Sequence, residues 1–186
     1  IAGFRATHPG VRLEISDLDS DSVRRRIRFD EADIGILTGS PGGGEDDFPI
    51  AGDALGIVYR EGGAIDRAVG AMDGAPGWSL LRHEPLIANP LCDLVAHDDV
   101  AKLLETCNLQ ARNTTALLSF VREGLGATIL PEGAMSMLPG GLGFVRPVDP
   151  AVTRTLSMLR NPARRLGPAA QAFWDTIVAR FRPPAA

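Results

Sequence analysis

Cysteine, histidine and aromatic side chains are scarce in this chain. Of its 186 residues, two are Cys, three His, one Tyr, two Trp and seven Phe. So few cysteines in a chain of this size argue against a disulfide-stapled secreted domain, and Cys92 and Cys107 are expected to be free thiols. Positive charge is also short. Against 23 Asp and Glu stand 19 Lys and Arg, a net charge of −4, which gives no overall field to draw the chain onto DNA, RNA or an anionic membrane. Apolar runs such as "IGIL" and "ATIL" fall far short of the roughly 20 residues that a membrane helix needs. No signal peptide with a charged start and a cleavage site is evident, so the cytosol is the expected compartment. Catalytic signatures are missing too: there is no G-x-S-x-G, G-x-x-x-x-G-K-[ST], H-E-x-x-H or C-x-x-C, and "PGGGE" and "PGGLG" do not complete G-x-G-x-x-G between a strand and a helix. No catalytic residue, metal site or cofactor is expected on these grounds.

What the chain does have is an apolar fraction of 45%, enough to bury one good core or two small ones. It opens without Met at "IAGFRATHPG", which reads as the back half of a helix running into a turn, so further sequence is expected upstream. "VRLEIS" (11–16) alternates apolar and polar residues as a strand does. Asp19 and Ser20 are candidate caps for a helix carrying the Val23 and Ile27 pair, and "ADIGIL" (32–37) follows as an apolar strand. "GSPGGGEDDFP" (39–49) is a Gly, Pro and acid loop, expected to be exposed and mobile. "ALGIVYR" (54–60) and "EPLIAN" (84–89) read as strands, "GAMDGAPGW" as a loop and "DVAKLLETCN" (99–108) as a helix. Asn113, Thr114 and Thr115 can each cap a helix bearing Leu117, Leu118 and Val121 on one face. Gly124 stands where a left-handed cap belongs, and "ATIL" (127–130) suits a strand covered on both sides. "TRTLSMLRN" (153–161) reads as a strand and "GPAAQAFWDTIVARF" (167–181) as a helix with Phe173, Ile177 and Phe181 on one stripe. Strands alternating with helices imply an α/β protein with largely parallel sheets.

In open α/β sheets, ligands collect where helix N-termini meet the carboxyl ends of strands. The starts at Ser20 and Thr114 offer unpaired N–H groups and a positive dipole end to a carboxylate or similar anion. One exposed terminus contributes only about 0.3–1 kcal/mol, so micromolar binding, about 8 kcal/mol, needs several that converge with burial of the ligand's apolar part. Each candidate has a plainer reading. Ser20 and Thr114 can be simple caps, and Asn89, which leaves a strand before Pro90, can be an ordinary turn residue. "CDLVAHDD" (92–99) could gather a thiol, an imidazole and carboxylates, but a polar helix start after a loop accounts for it better. "RRRIR" (24–28) could seat a phosphate, but a solvated helix face fits an acidic chain better.

Laid end to end, "FRATHPGVRLEISDLDSDSVRRRIRFDEADIGIL", "EPLIANP", "LLSFVREGLGATILPEG" and "TRTLSMLRN...AAQAFWDTIVARF" resemble the effector-binding domain of LysR-type transcriptional regulators over nearly the whole chain. The resemblance implies two Rossmann-like α/β subdomains of the periplasmic-binding-protein type, at 1–54 plus 148–186 and at 55–147, with an effector cleft between them. It also implies a homodimer or homotetramer in the cytoplasm. Carried over by position, it makes Ser20, Thr38, Asn89, Asn113 and Thr114 the expected ligand-binding residues for a small, anionic effector. The family's first strand and helix of subdomain I are missing from these residues, which leaves a sheet edge open. DNA would be met only through a winged helix-turn-helix domain, also missing here, and no membrane is involved. Two other classes remain: a free-standing solute-binding protein of a transport system, and an enzyme on the same fold, which would need a reactive Cys92 or His97.

Overall fold

In the computed structural model, which describes residues 1–39, 47–137 and 140–181, the chain divides into two units. Ile1–Gly52 and Thr155–Ala186 form the first, and Asp53–Arg154 the second. β-Strands and helices are mixed along the chain, so the α/β class holds.

Unit one begins with α1 (Ala2–Thr7), whose Phe4 is buried, stacks on His8 and meets Phe173 edge-on at 5.0 Å. Helix α2 (Ser20–Arg28) starts where capping chemistry permits: Asp19 Oδ1 accepts the Ser22 N–H at 3.0 Å. Its Val23 and Ile27 pack with Ala32, Leu37 and Leu159. Strand β1 (Gly35–Thr38) pairs antiparallel with the last strand, Thr153–Leu159, from Gly35 opposite Leu159 to Thr38 opposite Leu156. Gly35 is required by α2: a Cβ there would sit 2.6 Å from Val23 Cγ1. Arg26 reaches Ser16 Oγ at 3.2 Å and Glu31 at 3.8 Å, so the arginine run is a solvated, partly paired helix face, as its plainer reading had it.

Unit two is built on β2 (Asp47–Arg60), which enters it at Asp53. Here α3 spans Ala64–Gly70, α4 Asp98–Thr106 and α5 Thr114–Arg122; β3 spans Thr128–Pro131 and β4 Leu142–Val145. Alternate residues of β2 point to opposite faces. Leu55, Ile57 and Tyr59 join Trp78, Leu81, Val100 and Ile129 in one core, while Val58 joins Ile87, Leu117, Val121 and Leu130 in another. All four residues of β3 are buried, as a strand covered on both sides must be. Gly124 closes α5 at φ +77, a conformation that costs glycine no Cβ clash. The final strand, β5 (Thr153–Leu159), and α6 (Pro168–Phe181) return the chain to unit one.

Four expectations are corrected. Residues 11–16 keep a partial alternation of exposure but form no strand: among the described residues no strand ladders with them, and a period of two signals propensity, not a ladder. The ladders of β2 with β3 and β4 and of β1 with β5 are antiparallel rather than parallel. Parallel pairing survives at single bridges, Leu86 with Ala127 and Ala88 with Gln110, where α4 and α5 make the crossovers that the sequence implied. "EPLIAN" therefore contributes bridges and not a full strand. The loop at 39–49 is shorter than expected, since β2 already begins at Asp47; residues 40–46 lie outside the described residues. Periodicity did not single out α3, because its first N–H groups are capped from afar: Glu84 Oε1 accepts from Ala64 N at 2.7 Å and Ile65 N at 3.2 Å.

Candidate functional site

In unit one the structure brings two expected residues together. Asp19, not Ser20, caps α2, which leaves the Ser20 hydroxyl to accept the backbone N–H of Thr38 at 3.4 Å. The carboxyl end of β1 thus meets the start of α2, both Ser20 and Thr38 being half-buried. A hydroxyl, a second hydroxyl and a helix start share one locality there, the donor-rich setting that a small oxyanion or hydroxylated molecule requires.

In unit two α5 begins the same way. Asn113 is the cap, its Oδ1 accepting Ala116 N at 3.1 Å. Thr114 is the first helical residue and half-buried, while Asn113 is exposed. The N–H groups of Thr114 and Thr115 are not used by the helix's own ladder. The cap and the neighbouring hydroxyl are therefore separate side chains in both units: Asp19 with Ser20, and Asn113 with Thr114. Capping signals in the sequence marked both starts without telling which of the adjacent residues does the capping, because the choice turns on the backbone angles of a single residue.

Asn89 is placed differently from its expectation. It is 4% exposed, and its amide donates to Thr128 Oγ1 and to the Ile129 carbonyl, both at 2.9 Å. Its Oδ1 accepts Leu91 N at 2.9 Å, and Thr128 Oγ1 donates to the Ile87 carbonyl at 2.8 Å. It braces two neighbouring strand ends and opens the turn that follows, its backbone carbonyl accepting the Cys92 N–H at 3.0 Å. The signal that could have found it is Thr128, the one polar residue inside "ATIL", since a hydroxyl buried among apolar side chains needs a partner.

The two groups on which an enzyme reading rested have structural duties. Cys92 is fully buried, and burial pushes its thiol up to about 11, against a backbone hydrogen bond from Asn89 that lowers it; a thiol held neutral in this way is a poor nucleophile. His97 caps α4, its Nδ1 accepting the Asp99 N–H at 3.1 Å. Asp99 is buried and paired with Arg82. Both cysteines are free, and among the described residues no group of three or more His, Cys, Asp and Glu side chains could hold a metal ion. No helix among the described residues is long and apolar enough to cross a membrane.

Comparison with known proteins bears on what this arrangement serves. The chain is 25% identical over 187 residues to the uncharacterized HTH-type transcriptional regulator YfeR of Shigella flexneri, a match covering 95% of the chain and 58% of that relative's length. Among solved structures, the CcmR regulatory domain of Synechocystis PCC6803 in complex with 2-PG superposes with a TM-score of 0.73 at 16% identity, over 100% of this chain and 90% of that one. The effector-binding domain of QuiR in complex with shikimate gives 0.76 at 14% identity, over 97% and 88%. These likenesses fix the fold as that of two-subdomain effector-binding domains. The family model described as the LysR substrate binding domain matches residues 1–182, and the chain belongs to that family.

Proposed function

We propose that this chain is the ligand-sensing region of a LysR-type transcriptional regulator. Its effector would be a small, anionic molecule, and the candidate contacts are Ser20 and Thr38 in unit one and Asn113 and Thr114 in unit two. The carrying observation is the family match over residues 1–182, supported by a helix start in each unit at which capping is left to a neighbour and a hydroxyl is spared. The structural neighbours named above hold 2-PG and shikimate, small molecules of the size such a site accepts. Asn89 leaves the proposed contact set and serves it by bracing the strand ends. Operator recognition is assigned to a winged helix-turn-helix region outside this sequence, the working state to a homodimer or homotetramer, and the compartment to the cytoplasm. The effector acts by favouring one arrangement of the oligomer, and only as far as it binds the two states unequally.

A thermal-shift screen of small carboxylates would identify the effector, and calorimetry on four variants would test the division of labour. Ser20→Ala and Thr114→Ala should each weaken binding about tenfold with little change in melting temperature. Asp19→Ala and Asn113→Ala should each cost about 1 kcal/mol of stability, because they remove the caps. If Ser20→Ala and Thr114→Ala lower stability alone, the hydroxyls are structural and the reading fails.

A further inference from the structure

Between β5 and α6, unit one carries a hollow of about 440 Å³ whose walls include Arg160, Arg164, Arg165, Leu166 and Gln171. Residues 160–167 hold three arginines and no acid, against the grain of a chain with a net charge of −4. The loop is held in shape. Asn161 donates to Asp30 Oδ1 at 2.8 Å, accepts the Ala163 N–H at 3.0 Å on its own side-chain oxygen, and receives Arg164 N on its carbonyl at 3.2 Å. Arg160 is held as well: its guanidinium lies 5.1 Å over the Trp174 ring and its Nη1 donates to Gln171 Oε1 at 3.4 Å.

The nearby carboxylates are unevenly engaged. Asp30 and Asp33 stand 3.7 and 3.9 Å from Arg164, and Asp175 is occupied by Gln171 Nε2 at 2.8 Å. Arg165 is exposed and pairs with no carboxylate among the described residues. Arg160 and Arg165 are therefore the cations available to a guest, with Arg164 shared. One exposed ion pair contributes little, whereas a guest that bridges several guanidinium forks gains multidentate, charge-assisted hydrogen bonds. Such a guest must present oxygens on more than one side and carry more than one charge.

We infer that this hollow is a binding site for a compact, multiply charged oxyanion, lying wholly within unit one and independent of the effector contacts proposed above. The shared chemistry is a cluster of anionic oxygens, supplied either by phosphoryl groups or by several carboxylates.

Titration of the intact protein with pyrophosphate and with citrate at low ionic strength, followed by calorimetry, tests it. Saturable binding of at least one is expected, weakening severalfold between about 20 and 200 mM salt as partly exposed charges are screened. A preference for pyrophosphate would assign the source to phosphoryl groups, and a preference for citrate to carboxylates. Arg165→Ala should weaken binding about fivefold or more and the pair Arg160→Lys with Arg165→Ala about tenfold or more, since lysine keeps the charge and loses the fork. Arg67→Ala, which removes a charge that does not line the hollow, should leave affinity within about twofold. Absence of saturation, wild-type affinity in Arg165→Ala and in the double variant, or loss of binding on Ser20→Ala or Thr114→Ala instead, would overturn the site.

Discussion

Unit two is cored on both faces of its sheet, and unit one has a smaller core. In unit two Trp78, Leu55, Ile57, Ile65, Leu81 and Ile129 are fully buried on one side and Val58, Ile87, Leu117 and Val121 on the other. In unit one Ile27, Leu37 and Leu159 make a small cluster, α6 buries no residue completely among those described, and Ile15, Phe29 and Ile36 stand 69%, 64% and 47% exposed. The difference teaches where stability and adaptability are divided. Burial sets how much free energy a local opening costs, so unit one should open more readily than unit two.

Substitutions at the two cores test that contrast most strongly. Trp78→Ala removes a fully buried indole and its hydrogen bond to the Pro150 carbonyl, and should destabilise by about 3–5 kcal/mol; Leu37→Ala, in the smaller cluster, should cost about 2 kcal/mol. Denaturant unfolding of both variants gives the comparison, and equal losses would break it. Next in size is Asn89→Ala, which strands the N–H of Leu91 and the Ile129 carbonyl in a buried setting and should cost about 1–3 kcal/mol. A variant as stable as wild type would show that the brace is dispensable.

The smallest effect lies at alkaline pH. Cys92 is raised from 9.0 to about 11 in the folded chain, so folding favours its neutral form. That contribution is whole below pH 9, where both states keep the proton, and is lost as pH rises from 9 through 11, where the unfolded chain ionises first. The stability gap between wild type and Cys92→Ala should therefore narrow across this window. A constant gap would mean that the buried thiol is not held neutral.

Local signals read well wherever the partner is near in sequence. The starts of α2 and α5, the cap at Gly124 and the doubly covered "ATIL" all depend on residues within a turn or two, and all stand where they were expected. The failures share a cause. Residues 11–16 have strand periodicity without a partner strand, α3 is capped by Glu84 from beyond the next element, and the antiparallel pairing of β1 with β5 joins segments far apart in sequence. At the candidate site, the helix starts were visible and the division between cap and spared hydroxyl was not.

By itself the sequence determined that strands and helices are mixed along the chain, where α2 and α5 begin, and which family the whole resembles, because propensity, capping and periodicity act over a few residues. Only the tertiary structure decided the direction of the ladders, the burial of Asn89 against Thr128 and the burial of Cys92. Each of these depends on groups far apart in the chain, and their meeting is fixed by packing that no short window of sequence contains.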